Sequence, residues 1–395
     1  MNVLEVVIGP YPEIRGGVDK MVSLLVAGLM RRGCEVAVLV PGSWEIARLR
    51  SREVDGVSVY ERRLRLPLEQ GPKLRSLLGW LGELPRTLLD LRRICRRHAI
   101  DIVHIHTATN YVYWFRLLRL IGGPPYVITF HGSDVADFRT RRKGDRALIR
   151  WALAGSAAAN AVSRWLTEEA KRVFSGLCDP VCIYNGIAVT TPRREADAAT
   201  NPARALIGDS PYFVMVGSFD PYKGHDIAIR AWGLLPSDRR PHLLIVGEGP
   251  LRDSYLQLVD QLRCTDRIHL TGQLPNAQVQ LLLASALGMV FPSRNEGFGY
   301  VILEAGLAET PLLCSRIPPL DEIVVDGETG ILVPPDDPRA LADAVLRLVA
   351  DPELRRRLGA NLRRAVETRF STGTMADKYA ALFTQAGAES RLAAQ

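Results

Sequence analysis

The sequence of 395 residues predicts a doubly wound α/β protein with two parallel-sheet domains, and three observations predict it. Short apolar runs alternate with helix-period segments from the N-terminus to about residue 370. The series is broken once, at 190–202, by a polar stretch without apolar period. Glycine-bearing turns recur where apolar runs end, which is where doubly wound sheets expose ligand-binding groups.

In the first half the expected strands are 3–8, 35–40, 57–62, 102–105, 126–130 and 158–162, with a last apolar run at 181–183. Helix patterns lie between them at about 18–32, 84–98, 111–121, 146–154 and 164–174. The second half repeats the plan without repeating the sequence. Its strands are expected at 212–216, 243–246, 268–270, 287–291, 311–315 and 330–333. Its helices fall near 224–235, 251–262, 276–284, 298–308, 338–350 and 352–369, and a final helix is expected at 373–385. The boundaries that follow are 1–190 for the first domain, 191–210 for a linker and 211–370 for the second domain. Residues 371–395 follow as a terminal helix. Two such domains facing each other would hold a ligand in a central cleft.

Composition narrows the function. No run reaches the roughly 18 apolar residues of a spanning helix, and the start lacks a basic leader, so a cytoplasmic protein is expected. The six cysteines are scattered, without paired zinc spacing, and read as free thiols. The net charge of +7 is uneven: residues 1–190 carry +10 and the remainder −3. Arginines cluster at 62–65, 92–97 and 139–143, interleaved at 77–84 with leucines and Trp80. Such a face suits phosphates or an anionic bilayer; solvated helix faces in an arginine-rich chain are the plainer alternative.

The turns supply candidate site residues. Gly16 and Gly17 stand between the first strand and its helix, where backbone can approach a ligand and take positive φ. Their spacing is not the glycine fingerprint of dinucleotide binding, which argues against a nicotinamide oxidoreductase. His131, in the run Thr129–Asp134, follows a strand end and would donate to a sugar hydroxyl or meet a reacting centre. His104 and His106 end the preceding strand; one is expected to pack or support the site, and no acid at ligand spacing suggests a metal. Lys223 precedes a helix, so its ammonium and the helix N–H groups both suit a phosphate. Gly247 lies in the tight turn Val246–Pro250. Most informative is the stretch from Phe291 to Glu304: a strand, a polar turn and a helix, bracketed by Glu296 in the turn and Glu304 roughly two turns into the helix. Two carboxylates so placed suit two hydroxyl-bearing parts of one elongated ligand.

Taken in order, Gly16-Gly17, His131-Gly132, Asn185-Gly186, Lys223-Gly224, Gly247-Glu-Gly-Pro250 and Glu296-Gly-Phe-Gly-x4-Glu304 resemble the retaining glycosyltransferases of family 4. The resemblance spans nearly the whole chain and is most specific in 212–370. It implies the GT-B fold, two Rossmann-like domains around a cleft, with the nucleotide sugar on the C-terminal domain and the acceptor mainly on the other. It implies a last helix crossing back toward the N-terminal domain. By position it implies that Glu304 binds ribose hydroxyls and Glu296 the donor sugar, while backbone at Gly297, Phe298 and Gly299 reaches sugar or phosphate. Lys223 would neutralise the diphosphate, Gly17 would approach it from the other domain, and His131 would lie by the reacting carbon. One position departs: many relatives carry Arg where this chain has Ser218, which offers one hydrogen bond in place of a cationic fork.

The expected activity is thus transfer of a hexose-type sugar from a UDP- or GDP-linked donor, with retention and with neither metal nor other cofactor. The acceptor is expected to be a glycan or lipid-linked species of surface polysaccharide or glycolipid synthesis, with peripheral contact to an anionic membrane and no nucleic-acid partner. The rival classes are a nucleotide-sugar epimerase on the same fold and a non-catalytic nucleotide-sugar-binding protein.

Overall fold

The computed structural model describes residues 1–13, 16–42, 48–67, 73–109, 111–189 and 201–392. Contacts divide the chain into two compact units, residues 1–186 with 372–395, and residues 187–371.

The first unit is built on an eight-stranded sheet. Its strands are β1 (Asn2–Val6), β2 (Glu35–Pro41), β3 (Arg50–Val54), β4 (Val57–Arg62), β5 (Ile102–His106), β6 (Tyr126–Phe130), β7 (Ala158–Ala161) and β8 (Val181–Cys182), in the order β3-β4-β2-β1-β5-β6-β7-β8. Every neighbouring pair is parallel except β3 with β4. β3 was not expected from the sequence, because Arg-Ser-Arg-Glu-Val lacks apolar alternation. It sits at the sheet edge, mostly exposed, where charged residues are tolerated and discourage further pairing. The helix Lys73–Arg97 is longer than the expected 84–98 and carries Pro85 inside it.

The second unit holds β9 (Tyr212–Val216), β10 (His242–Val246), β11 (Ile268–Gly272), β12 (Gly288–Phe291), β13 (Leu312–Ser315) and β14 (Ile331–Val333), ordered β11-β10-β9-β12-β13-β14 and parallel throughout. Apart from the half-buried edge strand β11, these strands are nearly all buried, as continuous apolar runs covered by helices on both faces must be. The strand order reverses between β9 and β12, and in the first sheet between β1 and β5. Loops on either side of such a reversal diverge and leave a crevice at the carboxyl ends of the strands.

Two boundaries differ from expectation. Residues 191–200 of the expected linker lie outside the described residues, but Pro202–Ile207 forms a helix capped by the Asn201 side chain rather than continuing as linker. The terminal helix runs Thr372–Leu392, beyond the expected 385, and belongs to the first unit. It packs on the helix Gly17–Met30 so closely that a Cβ at Gly28 would stand 2.8 Å from the Ala376 methyl.

Candidate active site

In the second unit the loops after β9 and β12 emerge side by side, because β12 pairs with β9 in register Gly288 with Phe213 and Met289 with Val214. That adjacency joins two sequence-distant candidates. Lys223 Nζ lies 2.8 Å from Glu296 Oε1, which also accepts from Ser293 Oγ at 2.8 Å. Glu296 is buried, and Lys223 also lies 5.7 Å from the centre of the Phe291 ring. A partly desolvated ammonium is thereby held at the crevice, where its field is screened less than on an open surface.

Lys223 ends a short 3-10 turn, Pro221–Lys223, and Gly224 then takes a left-handed conformation (φ 73°) to open the helix His225–Leu234. A side chain at Gly224 would overlap the Pro292 carbonyl, with Cβ only 2.0 Å from the oxygen, so glycine is required on both counts. The two loops are tied together by Arg294, which the sequence reading passed over. Its backbone N–H donates to Tyr222 O at 2.7 Å, and its guanidinium donates to Pro221 O at 2.6 Å. The same guanidinium makes a bidentate pair with Asp226 at 2.9 and 2.8 Å and reaches Asp336 at 2.6 Å. Burial pushes the Asp226 carboxyl up, but the hydrogen bonds and charge of Arg294 outweigh it and hold it below its usual value. Arg294 stands two residues before Glu296, but its partners Asp226 and Asp336 are distant in sequence, so no local pattern marks it.

Glu304 is the fifth residue of the helix Tyr300–Leu307, which starts two residues later than expected. It therefore lies little more than one turn from the helix start, about 6 Å along the axis, rather than two turns. Gly299 caps that helix in a left-handed conformation. Gly297 precedes Phe298, whose ring is buried near Phe370 at 6.0 Å, which leaves only backbone there for a ligand. Ser218 directs its hydroxyl to the Asp220 carboxylate, so the position that departs from the family pattern is tied to its own loop. At Gly247 (φ 153°) a Cβ would lie 1.9 Å from Gly217 O; this glycine is required for the packing of two turns against each other.

In the first unit, Gly16 is the N-cap of the helix Gly17–Met30, and both glycines are exposed. The expected positive φ is corrected at Gly16: its φ is −159°, extended backbone that any residue adopts. What glycine leaves there is open space, with nothing within 4 Å of where a Cβ would stand.

His131 follows β6 and lies in a buried polar network. The parallel register sets Glu5 of β1 beside His104 of β5, and His106 and Thr129 beside each other one strand on, so their side chains share one sheet face. Glu5 Oε2 lies 2.7 Å from His104 Nδ1 and 2.8 Å from His106 Nε2, and His106 Nδ1 lies 3.2 Å from His131 Nε2. On the other side His104 Nε2 meets Thr129 Oγ1 at 2.7 Å, and Asn160 and the Tyr379 hydroxyl of the terminal helix close the network. Burial pushes Glu5 up, but the charge of His104 and hydrogen bonds from His104 and His106 outweigh it and lower its carboxyl to about 2. Burial and the neighbouring His104 lower His106 to about 4, and burial with both neighbouring imidazoles takes His131 well below the ordinary value. The His131 and Gly132 N–H groups and the Ala108 N–H all donate to the Asp134 carboxylate, at 3.1, 2.9 and 3.0 Å.

The expectation that no acid lies near His104 and His106 is thus corrected: Glu5, the acid inside the first apolar run, is against both. The three ligand atoms lie within 4.8 Å of one another. Their pairwise contacts to Glu5, 2.7 and 2.8 Å, are hydrogen-bond lengths. Donors around a tetrahedral ion with bonds near 2.0 Å would stand about 3.3 Å apart, so the arrangement is one of shared protons.

Comparison with known proteins accounts for both halves of the chain. The profile described as Glycosyl transferases group 1 matches residues 197–365, and that described as Glycosyltransferase Family 4 matches residues 15–191. The chain is 26% identical to the N-acetyl-alpha-D-glucosaminyl L-malate synthase of Bacillus anthracis over 74% of its length and 77% of that protein. It is 27% identical to the O-antigen chain mannosyltransferase C of Escherichia coli over 97% and 98%. Among solved structures, Anabaena HepE in complex with UDP-glucose superposes with a TM-score of 0.75 at 17% identity, covering 97% of this chain and 99% of that one. With its two Rossmann-like units of the GT-B fold, the chain belongs to the group 1 glycosyltransferases of family 4 and is a glycosyltransferase.

Proposed function

We propose that the enzyme takes a sugar from a nucleoside diphosphate donor held at the β9/β12 crevice and transfers it, with retention and without a metal ion, to a phosphate-bearing glycan or lipid-linked acceptor of polysaccharide or glycolipid synthesis. The observation that carries this reading is the Lys223–Glu296 pair at the sheet's reversal point. Lys223 and the N-terminus of the helix His225–Leu234 supply positive charge where a departing diphosphate needs it. Glu296 accepts a sugar hydroxyl, and Glu304, one turn into its helix, accepts from the ribose. The family resemblance assigns His131 of the first unit to the reacting carbon. Two relatives support the classes of donor and acceptor: HepE binds UDP-glucose in its crystal structure, and the Escherichia coli relative is an O-antigen chain mannosyltransferase.

A basic cavity supports an anionic acceptor. Arg86, Arg93 and Arg97 lie at helical spacing on Lys73–Arg97 and, with Arg48, line a cavity of about 510 Å³. Asp90 in its wall is engaged by the buried Arg62 at 2.8 Å. Leu77, Leu78 and Leu81 are exposed on the same helix.

The test is initial-rate transfer with the donor that binds. Lys223→Ala and Glu296→Gln are each expected to lower kcat/KM on the order of 10²-fold or more, the range for lost charge stabilisation. A chelator is expected to leave the wild-type rate unchanged. Near wild-type rates in both variants would remove the assigned site, and chelator inhibition reversed by Mg²⁺ would remove the metal-free step.

A further inference from the structure

We infer that Glu5 and His106 form a buried relay that fixes His131 as the tautomer protonated at Nε2, so that its Nδ1 faces a substrate hydroxyl as an acceptor and not as a donor. The inference rests on the reading that His131 lies at the sugar, and reverses the donating role expected from the sequence.

Proton counting carries it. Glu5, His106 and His131 are buried, at 0, 1 and 9% exposure, so water does not stand in for a missing partner. An ionised carboxylate only accepts, and one Glu5 oxygen, Oε2, meets two imidazole nitrogens. The lowered carboxyl of Glu5 keeps it ionised at neutral pH. His106 Nε2 must therefore carry a hydrogen and donate it to Glu5. With His106 held neutral by its burial, its Nδ1 is then a bare lone pair. The group facing that lone pair is His131 Nε2 at 3.2 Å, so His131 Nε2–H donates to His106. His131 is neutral for the same reason, and its one hydrogen is used, which leaves Nδ1 unprotonated. No hydrogen-bond partner for Nδ1 occurs among the described residues. Each step is fixed by the one before it, starting from a carboxylate two hydrogen bonds away from His131. Glu5 and His106 are positioning residues: they act through His131, much as a buried carboxylate orients an imidazole in other enzymes.

The backbone holds the acceptor in place independently. Asp134 accepts from the His131 and Gly132 N–H groups, and Gly132 adopts φ 132°, a conformation that disfavours any side chain. Ring orientation is thus set by the relay and ring position by the Asp134 turn.

Long-range ¹H–¹⁵N NMR of the full-length protein with ¹⁵N-histidine reads the tautomers directly. His131 is assigned by its loss in His131→Gln and His106 by its loss in His106→Phe. At pH 7, His106 and His131 are each expected to show a protonated Nε2 and a pyridine-type Nδ1. A protonated Nδ1 at His131, or an imidazolium at either residue, overturns the relay. In folded His106→Phe the His131 signals are expected to move to a mixture of tautomers, and kcat to fall about tenfold or more with donor affinity unchanged. Unaltered His131 shifts in that variant overturn the relay too. If His106→Phe does not fold, the wild-type spectrum still decides. The underlying reading fails separately: wild-type turnover in His131→Ala removes His131 from the sugar site whatever its tautomer.

Discussion

At the scale of single residues, the groups proposed to act on the ligand differ sharply in how far the sequence disclosed them. Glu296 and Lys223 sit in turns beside glycines, Glu304 follows Glu296 eight positions on in the helix Tyr300–Leu307, and their residue types in that pattern are uncommon enough to stand out. Glu5 does not, because an acid within a short apolar strand looks like an interruption until the register sets it beside His104. Arg294 was overlooked for the opposite reason: it resembles a solvated arginine, and only the fold brings Asp226 and Asp336 to it. The buried network also makes a pH prediction. His106 has a folded pKa of about 4 against 6.5, so below 6.5 the unfolded chain takes up a proton that the folded one refuses, and stability falls with pH until about 4. Glu5 is likewise lowered, from 4.5 to about 2, and its contribution is present above 4.5 and lost as pH falls through 2. Both act in the same direction. Urea unfolding followed by hydrogen exchange at β5 should show stability lower at pH 5 than at pH 7 by about 2 kcal/mol from His106 alone. Equal stability at the two values would mean that the imidazole is not buried neutral.

Among elements, the alternation of strands and helices was readable almost throughout, since buried parallel strands are continuous apolar runs with few alternatives. What escaped was either polar or at an end. β3 has no apolar period; the helix Lys73–Arg97 begins eleven residues before the expected 84 and runs through Pro85; and Asn201 caps a helix in a stretch that looked like linker. The terminal helix was expected, but not its role. Tyr379 and Phe383 place their rings 5.1 and 5.0 Å from His104, and the Tyr379 hydroxyl accepts from Asn160 at 2.9 Å. This helix therefore covers the polar sheet face that holds the His131 network. Tyr379→Phe keeps the ring and removes the hydroxyl, leaving the buried Asn160 amide without its acceptor. It is expected to cost about 1–3 kcal/mol in urea unfolding, the range for an unsatisfied buried polar group. A loss within error would show that the network does not depend on the helix.

Over the whole molecule, the uneven charge is a statement about partners rather than fold. Family membership and the GT-B fold rest on nearly the full length, because motif order is preserved across both units. Donor and acceptor identity are harder to read from sequence, since a hydroxyl-binding carboxylate serves many sugars alike. Among the described residues no helix is long and apolar enough to cross a membrane. The arginine-lined cavity and the exposed leucines of Lys73–Arg97 nonetheless predict binding to vesicles containing anionic lipid, weakened as salt rises from low to physiological strength. Cosedimentation at several salt concentrations checks it. Binding that is absent, or insensitive to salt, would remove the electrostatic basis for a membrane-bound acceptor.

Calorimetric titration of UDP- and GDP-linked sugars into wild-type enzyme and Lys223→Ala addresses the donor grip most directly. One nucleoside diphosphate sugar is expected to saturate the wild type without added metal and to bind Lys223→Ala at least tenfold more weakly, about 1.4 kcal/mol. Equal affinity in the two proteins, or no saturable binding of any nucleotide sugar to the wild type, would contradict the assignment of Lys223 and Glu296 to the donor.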